Sequence, residues 1–156
     1  MARLYVENNL KKPSVKKMAD AVYNALGQSE NLKAELITVS AERIRELNRE
    51  ERNVDRVTDV LSFPALENHK GKILRKEDYP TEIDGRYLFI GSIVLCKDKI
   101  KEQATELGHS EEEETTYLIV HGLCHLFGYD HMEDEDKTEM RTAEKKALAL
   151  LGVEDK

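Results

Sequence analysis

The chain is expected to fold as a single α+β domain spanning residues 1–156, a mixed sheet of about four strands packed with about five helices. Three observations predict that class. Apolar residues recur at helical spacing in five segments and in short strand-like runs in four others. The segments follow the order β-α-β-α-β-β-α-α-α, with three helices in succession at the end. No repeat, low-complexity tract or linker divides them, and 156 residues suit one core that needs no disulfide staples.

The elements justify themselves in order. Residues 3–7 form a short strand candidate, and Pro13 suits the first turn of a helix running to about Gly27. Its apolar stripe is Val15, Met18, Ala19, Val22 and Leu26. Residues 34–39 form the next strand, and Ser40 is the N-cap of a helix that buries Ile44 and Leu47. Residues 57–63 alternate too little to be half exposed. They read as a strand buried on both faces, closed by Pro64, which gives two crossover units. Residues 65–86 are charged, contain Gly71, Pro80 and Gly85, and keep no period, as a long loop or flap does. Strand character resumes over 87–95. Helices follow at about 97–107, 111–127 and 134–151. Ser110 with Glu113 makes a capping box, and the acids at 111–114 complement the dipole of the helix they start.

Composition narrows the function classes. The formal charge of -7 removes global attraction to nucleic acid, so any RNA contact must be local. Lysines at 11, 12, 16 and 17, and at 97, 99 and 101, read as solvated helix faces. With two cysteines, no apolar leader after Met1 and no apolar run of membrane-span length, a reducing cytosol is the expected home.

The chemistry is concentrated in His121-Gly-Leu-Cys-His125-Leu-Phe-Gly128-Tyr-Asp-His131. On a helix, His121 and His125 are separated by about 6 Å of rise and about 40° of rotation, so one face carries both imidazoles. Gly128 can take the left-handed conformation that ends a helix and returns His131 toward them. A lone histidine is usually a surface residue. Three at this spacing match the metzincin pattern H-E-x-x-H-x-x-G-x-x-H in every position but one, and three ligands with one open position describe a catalytic zinc site holding one ion. The exception is Gly122, which stands where metalloproteases carry their general base. The residues therefore point to a hydrolase other than an ordinary peptidase.

Together with Arg52-Asn-Val-Asp-Arg-Val-Thr-Asp-Val-Leu-Ser-Phe-Pro64, this motif resembles the YbeY-type bacterial rRNA-maturation endoribonucleases over most of the domain. The resemblance implies a zincin-like metal helix and a zinc-dependent, single-strand-specific endoribonuclease of 16S rRNA 3′-end maturation and ribosome quality control. It implies His121, His125 and His131 as metal ligands, Arg52 as the essential arginine, precursor rRNA as substrate, and small-subunit proteins or a GTPase as partners. Zinc and a guanidinium fork can together stabilise the charge of a phosphodiester transition state. Glu51 and Asn53 stand where the family usually has an aromatic residue and a glycine, and Ser92 where it more often has an acid. Two nucleophiles fit: water, leaving a terminal phosphate, and the RNA 2′-hydroxyl, leaving a cyclic one.

The remaining candidates have ordinary readings. Cys124 is expected as a small buried hydrophobe, and Met132 and Met140 as core filler. His69 and His109 are expected to be solvated. Asp130 either orients a histidine or caps a turn. Two alternatives stand beside the nuclease: a metalloprotease-like hydrolase that recruits another carboxylate, and a non-catalytic ribosome-assembly factor with a structural zinc.

Overall fold

A computed structural model describes residues 2–10 and 13–153; Lys11 and Lys12 of the first basic cluster lie outside the described residues. Strand β1 (Leu4–Asn8) leads through helix α1 (Val15–Ala25) to β2 (Leu32–Val39), and α2 (Ala41–Arg52) leads to β3 (Val60–Pro64). After two single 3₁₀ turns come β4 (Ile83–Asp84), β5 (Tyr87–Cys96), α3 (Lys97–Leu107), α4 (Glu111–Leu126) and α5 (Asp134–Leu150). This is the predicted α+β class, with five strands once the two-residue β4 is counted.

The sheet order is β1-β2-β5-β3, with β4 added to β5. β1, β2 and β5 run parallel, and β3 and β4 pair antiparallel with β5. The first expected crossover is present. The second is not, because β3 does not join β2 but forms the far edge beyond β5. Burial explains the exchange: β5 carries Leu88, Ile90, Ile93, Val94, Leu95 and Cys96, all buried, and so takes the two-sided central position. In β3 only Leu61 and Ser62 are buried, which corrects the expectation of burial on both faces.

Side chains of one sheet face, among them Leu4, Val6, Leu36 and Ile93, join the main core with α1 and α4, and α5 packs behind those helices. The other face is covered in part by α2, whose Ile44 sits among Leu61, Val94 and Cys96. Local signals decide the helix starts. Ser40 accepts from Arg43 N at 3.1 Å, and Ser110 with Glu113 completes the expected capping box. Pro13 precedes the N-cap Ser14 instead of entering the helix, since the first helical residue is Val15.

Residues 65–86 are not a free flap. Leu66, His69 and Leu74 are 5%, 3% and 1% exposed and pin the segment to the core. Met140 is buried as expected, whereas Met132 is 80% exposed. It falls in the turn before α5, where helical spacing has no meaning.

Candidate metal centre

Helix α4 is central, burying Leu118, Ile119, Val120, Leu123, Cys124 and Leu126, and it leaves His121 and His125 partly exposed on one side. Gly128, at φ 97°, reverses the chain. A Cβ there would lie 2.8 Å from the Lys70 amide nitrogen, so both conformation and close approach call for glycine. The reversal returns His131, as expected. Ring centroids are 4.7 Å apart for His121 and His125, 5.8 Å for His121 and His131, and 5.2 Å for His125 and His131.

The donor set fits a metal ion. One ligand atom from each histidine lies within 4.8 Å of the others, and among the described residues this is the one such group of histidine, cysteine and acidic side chains. His121 Nδ1–H donates to Glu144 Oε2 at 2.5 Å, and His125 Nδ1–H donates to the Tyr129 carbonyl at 2.9 Å. Carboxylate and carbonyl can only accept here, so the Nε2 lone pairs are the ones left for a metal. Burial, and then the neighbouring His121 and His131, push the His125 pKa down to about 4. That imidazole is neutral at ordinary pH without losing a proton to a metal.

Glu144 was not foreseen. Its side chain is 3% exposed, and its second oxygen accepts from Arg141 Nη1 at 3.1 Å. Burial pushes this carboxyl upward, but the bonds from His121 and Arg141 outweigh it, and the net shift is downward. The signal was present in the sequence: Glu144 interrupts the apolar stripe Met140, Ala143, Ala147, Leu148 of α5. Asp130 does not take this role. It accepts from Met132 N at 3.2 Å, which is the turn-capping reading.

Gly122 has a packing cause. An added Cβ would meet Ile93 Cδ1 at 3.0 Å and two further atoms of the same side chain at 3.3 Å. The position of the missing glutamate therefore faces β5. Cys124 is buried, and desolvation, followed by the Glu144 charge, holds its thiol protonated; it is a core residue, as expected.

Arg52 ends α2, where Asn53 takes the left-handed C-cap conformation at φ 58°, one that asparagine tolerates nearly as glycine does. Arg52 Nη2 donates to the Ser62 carbonyl at 2.9 Å, and its guanidinium lies 5.9 Å from the Phe63 ring centre. Its charge is one of the influences that lower the His125 pKa, so the fold does bring the two expected parts of the site together.

His69 corrects the solvated reading. It is buried, its Nε2–H donates to the Leu126 carbonyl at 2.7 Å, and its buried Nδ1 has no partner. The residue ties the 65–86 segment to the helix turn that carries His125. Both histidines line a cleft of about 630 Å³ with Pro64, Lys70 and Tyr129. Tyr117, which the sequence offers as one of the apolar residues of this helix, stacks on His121 with ring centroids 6.0 Å apart. His109 is half-buried rather than solvated.

A sheet crossed by a histidine-bearing helix, with three imidazoles converging after a glycine turn, defines an α+β protein able to hold a metal ion. A family model described as Endoribonuclease YbeY matches residues 4–152. Endoribonuclease YbeY of Clostridium beijerinckii is 40% identical, covering 96% of this chain and 98% of that one. The Clostridium botulinum relative is 38% identical with the same coverage. The solution structure of a Thermotoga maritima protein shares the fold, with a TM-score of 0.55 and 24% identity over 96% of this chain and 91% of the other. The chain belongs to the YbeY endoribonuclease family, which makes it an RNA-cleaving hydrolase with RNA as its substrate.

Proposed function

We propose that this chain is a zinc-dependent, single-strand-specific endoribonuclease of 16S rRNA 3′-end maturation and ribosome quality control, acting in the cytosol as one domain over residues 1–156. The observation that carries the reading is the convergence of His121, His125 and His131, with two tautomers fixed by Glu144 and Tyr129, within reach of the charge of Arg52.

One zinc ion would be held by the three histidines. When bound, it supplies Lewis acidity toward a phosphoryl oxygen and lowers the pKa of water. The other steps belong to side chains. Arg52 has five N–H donors and spends one on Ser62, so the rest of its fork can bind a non-bridging phosphate oxygen as charge develops there. Contact with Phe63 and the Ser62 bond hold the guanidinium in place before substrate arrives, the condition under which a charge stabilises a transition state best. Glu144 keeps His121 in its ligating tautomer and carries a compensating negative charge. Water and the RNA 2′-hydroxyl are distinguished by their products, a terminal or a cyclic phosphate. Small-subunit proteins or a GTPase would present the precursor.

The test is cleavage of a single-stranded rRNA 3′-end precursor by metal-quantified protein, comparing wild type, His125→Ala and Arg52→Ala preparations checked for folding. Activity that follows zinc content and disappears in both variants is the expected result. Equal cleavage by all three preparations identifies a contaminating ribonuclease, and cleavage by none removes the reading.

A further inference from the structure

Side chains alternate across the sheet, and strand register fixes which of them share its outer face. Tyr5 pairs with Lys33 and Lys33 with Phe89; after a bulge, Glu35 pairs with Ser92 and Ser92 with Phe63. The neighbours Leu4, Val6, Leu32, Ala34 and Ile93 point into the main core, so these residues point the other way. Tyr87 joins them, its ring 5.9 Å from that of Tyr5. Helix α2 packs on this face over Leu61, Val94 and Cys96, and Val39, Val57 and Phe63 lie partly buried against that cluster. The remainder is open: Tyr5 is 37% exposed and Ile37 47%, and Tyr87 and Phe89 are half-buried, as is Phe63 at the margin of the α2 cluster.

Four aromatic rings on three strands thus share one face, uncovered at Tyr5, Tyr87 and Phe89 and bordering the α2 cluster at Phe63, in a chain in which aromatics are 6% of residues. Cations accompany them. Arg3 lies 5.2 Å from the Tyr5 ring centre, Arg86 5.2 Å from that of Tyr87, and Arg52 5.9 Å from that of Phe63. The carboxylates of the face do not cancel this pattern. Lys33 holds Asp84 at 2.9 Å and Glu7 at 3.6 Å, and Glu35 lies beside the Ser92 hydroxyl, where it can accept from the amino group of a base. Aromatic faces interleaved with arginines suit single-stranded nucleic acid, whose bases stack on rings while phosphates meet the cations. A double helix hides its base faces and cannot use them.

The row also has a direction. From Tyr5 on β1 to Phe63 on β3 it crosses three strand spacings, about 14 Å, and it ends at Arg52, which wraps the β3 edge to the Ser62 carbonyl.

We propose that this outer sheet face is a platform for single-stranded RNA, on which Tyr5, Tyr87, Phe89 and Phe63 receive bases of the strand that leads to Arg52 and the histidine cluster. The proposal deepens the RNA-cleaving reading of the neighbouring site and rests on it for the identity of the ligand. It also reconciles a formal charge of -7 with an RNA substrate, since the contact is local and led by stacking.

The test is binding of a short, uncleavable 2′-O-methyl RNA strand by fluorescence anisotropy. The proteins are wild type, Tyr5→Leu, Phe89→Leu, their double variant, Phe89→Tyr, and Leu150→Ser, which alters an exposed residue of α5. Leucine keeps apolar bulk and removes the ring, and thermal melts check the fold. Each leucine variant should bind about tenfold more weakly, with Phe89→Tyr and Leu150→Ser near wild type. The duplex form should not distinguish wild type from the double variant. Single-strand affinity unchanged in the double variant overturns the platform. So does a wild-type dimer that the double variant splits without a change in RNA affinity, which assigns the face to a second copy of the chain. Precursor cleavage measured alongside separates the two claims: cleavage with unaltered variant affinities removes the platform alone, and lost affinities without wild-type cleavage remove the nuclease reading alone.

Discussion

Replacing Glu144 by glutamine changes one atom of a carboxylate that makes two contacts at once. Its Oε2 accepts from His121 Nδ1 and its Oε1 from Arg141 Nη1 at 3.1 Å, within a side chain only 3% exposed. An amide in its place could not serve both. With the amide oxygen on His121, the NH₂ group faces the Arg141 donor. With the oxygen on Arg141, the NH₂ group faces His121 Nδ1 and asks for the other tautomer, which places a hydrogen on the nitrogen that would bind metal. Either arrangement weakens the ligand, and loss of such an outer partner typically lowers metal affinity about 10–100-fold, or about 1.4–2.8 kcal/mol. Competition with a chromogenic zinc chelator near neutral pH measures it, with circular dichroism as a check on the fold. Unchanged affinity in a folded Glu144→Gln protein would refute the claim that this carboxylate holds His121 in place.

Three further outcomes are expected. An unfolded histidine takes up its proton near pH 6.5, whereas His125 in the folded metal-free protein does so only near 4. Between those values the unfolded state binds more protons, so apoprotein stability should decline on acidification by something on the order of 2–3 kcal/mol, read from urea melts across that range. The lowered Glu144 pKa acts in the same sense, its contribution being lost as pH falls through its folded value. Gly122→Ala should lower the melting temperature, because overpacking against Ile93 costs about 1–3 kcal/mol while helix propensity returns at most about 1; Ile93→Val should relieve it. His69→Leu strands the Leu126 carbonyl, at about 1–3 kcal/mol, and should speed proteolysis within residues 65–86, which His69→Gln should partly restore.

The elements were legible where local chemistry decides them. The α3 boundaries, the Ser40 cap, the Ser110–Glu113 box and the Gly128 turn each depend on residues within a few positions of one another. Strand order was not of that kind. Residues 57–63 and 87–95 both read as apolar runs, and only competition for the centre of the sheet makes the richer one central and sends β3 to the edge. The site divides along the same line. The three histidines lie within eleven residues, whereas Glu144 comes from α5 and His69 from a segment without periodicity, and both act across distances in sequence that no local pattern encodes. Each nevertheless stands out in the structure as a polar residue buried among apolar neighbours.

The edge position of β3 bears on which chemistry this frame can perform. Cys96 N donates to the Asp59 carbonyl and Ala65 N to the Ile90 carbonyl, so odd-numbered residues of this stretch bond to β5 and Ser62 turns its carbonyl outward. An extended peptide binding as an added strand would need that outer row. Here the Ser62 carbonyl is taken by Arg52, and the edge nearest the histidines presents a guanidinium in place of a free acceptor. The same frame has no carboxylate at position 122, where α4 lies so close to Ile93 that a side chain would have to push it aside. Two features that a peptidase needs, an open strand edge and an acid on the metal helix, are thus replaced by one cation and one close packing contact. A phosphodiester gains from the cation and has no use for the strand edge. Exchanging Arg52 for alanine should free the Ser62 carbonyl yet leave the protein inactive toward unstructured polypeptide, because Gly122 cannot be made acidic without displacing Ile93; chelator-sensitive proteolysis by that variant would show that the edge alone had been withholding a peptidase.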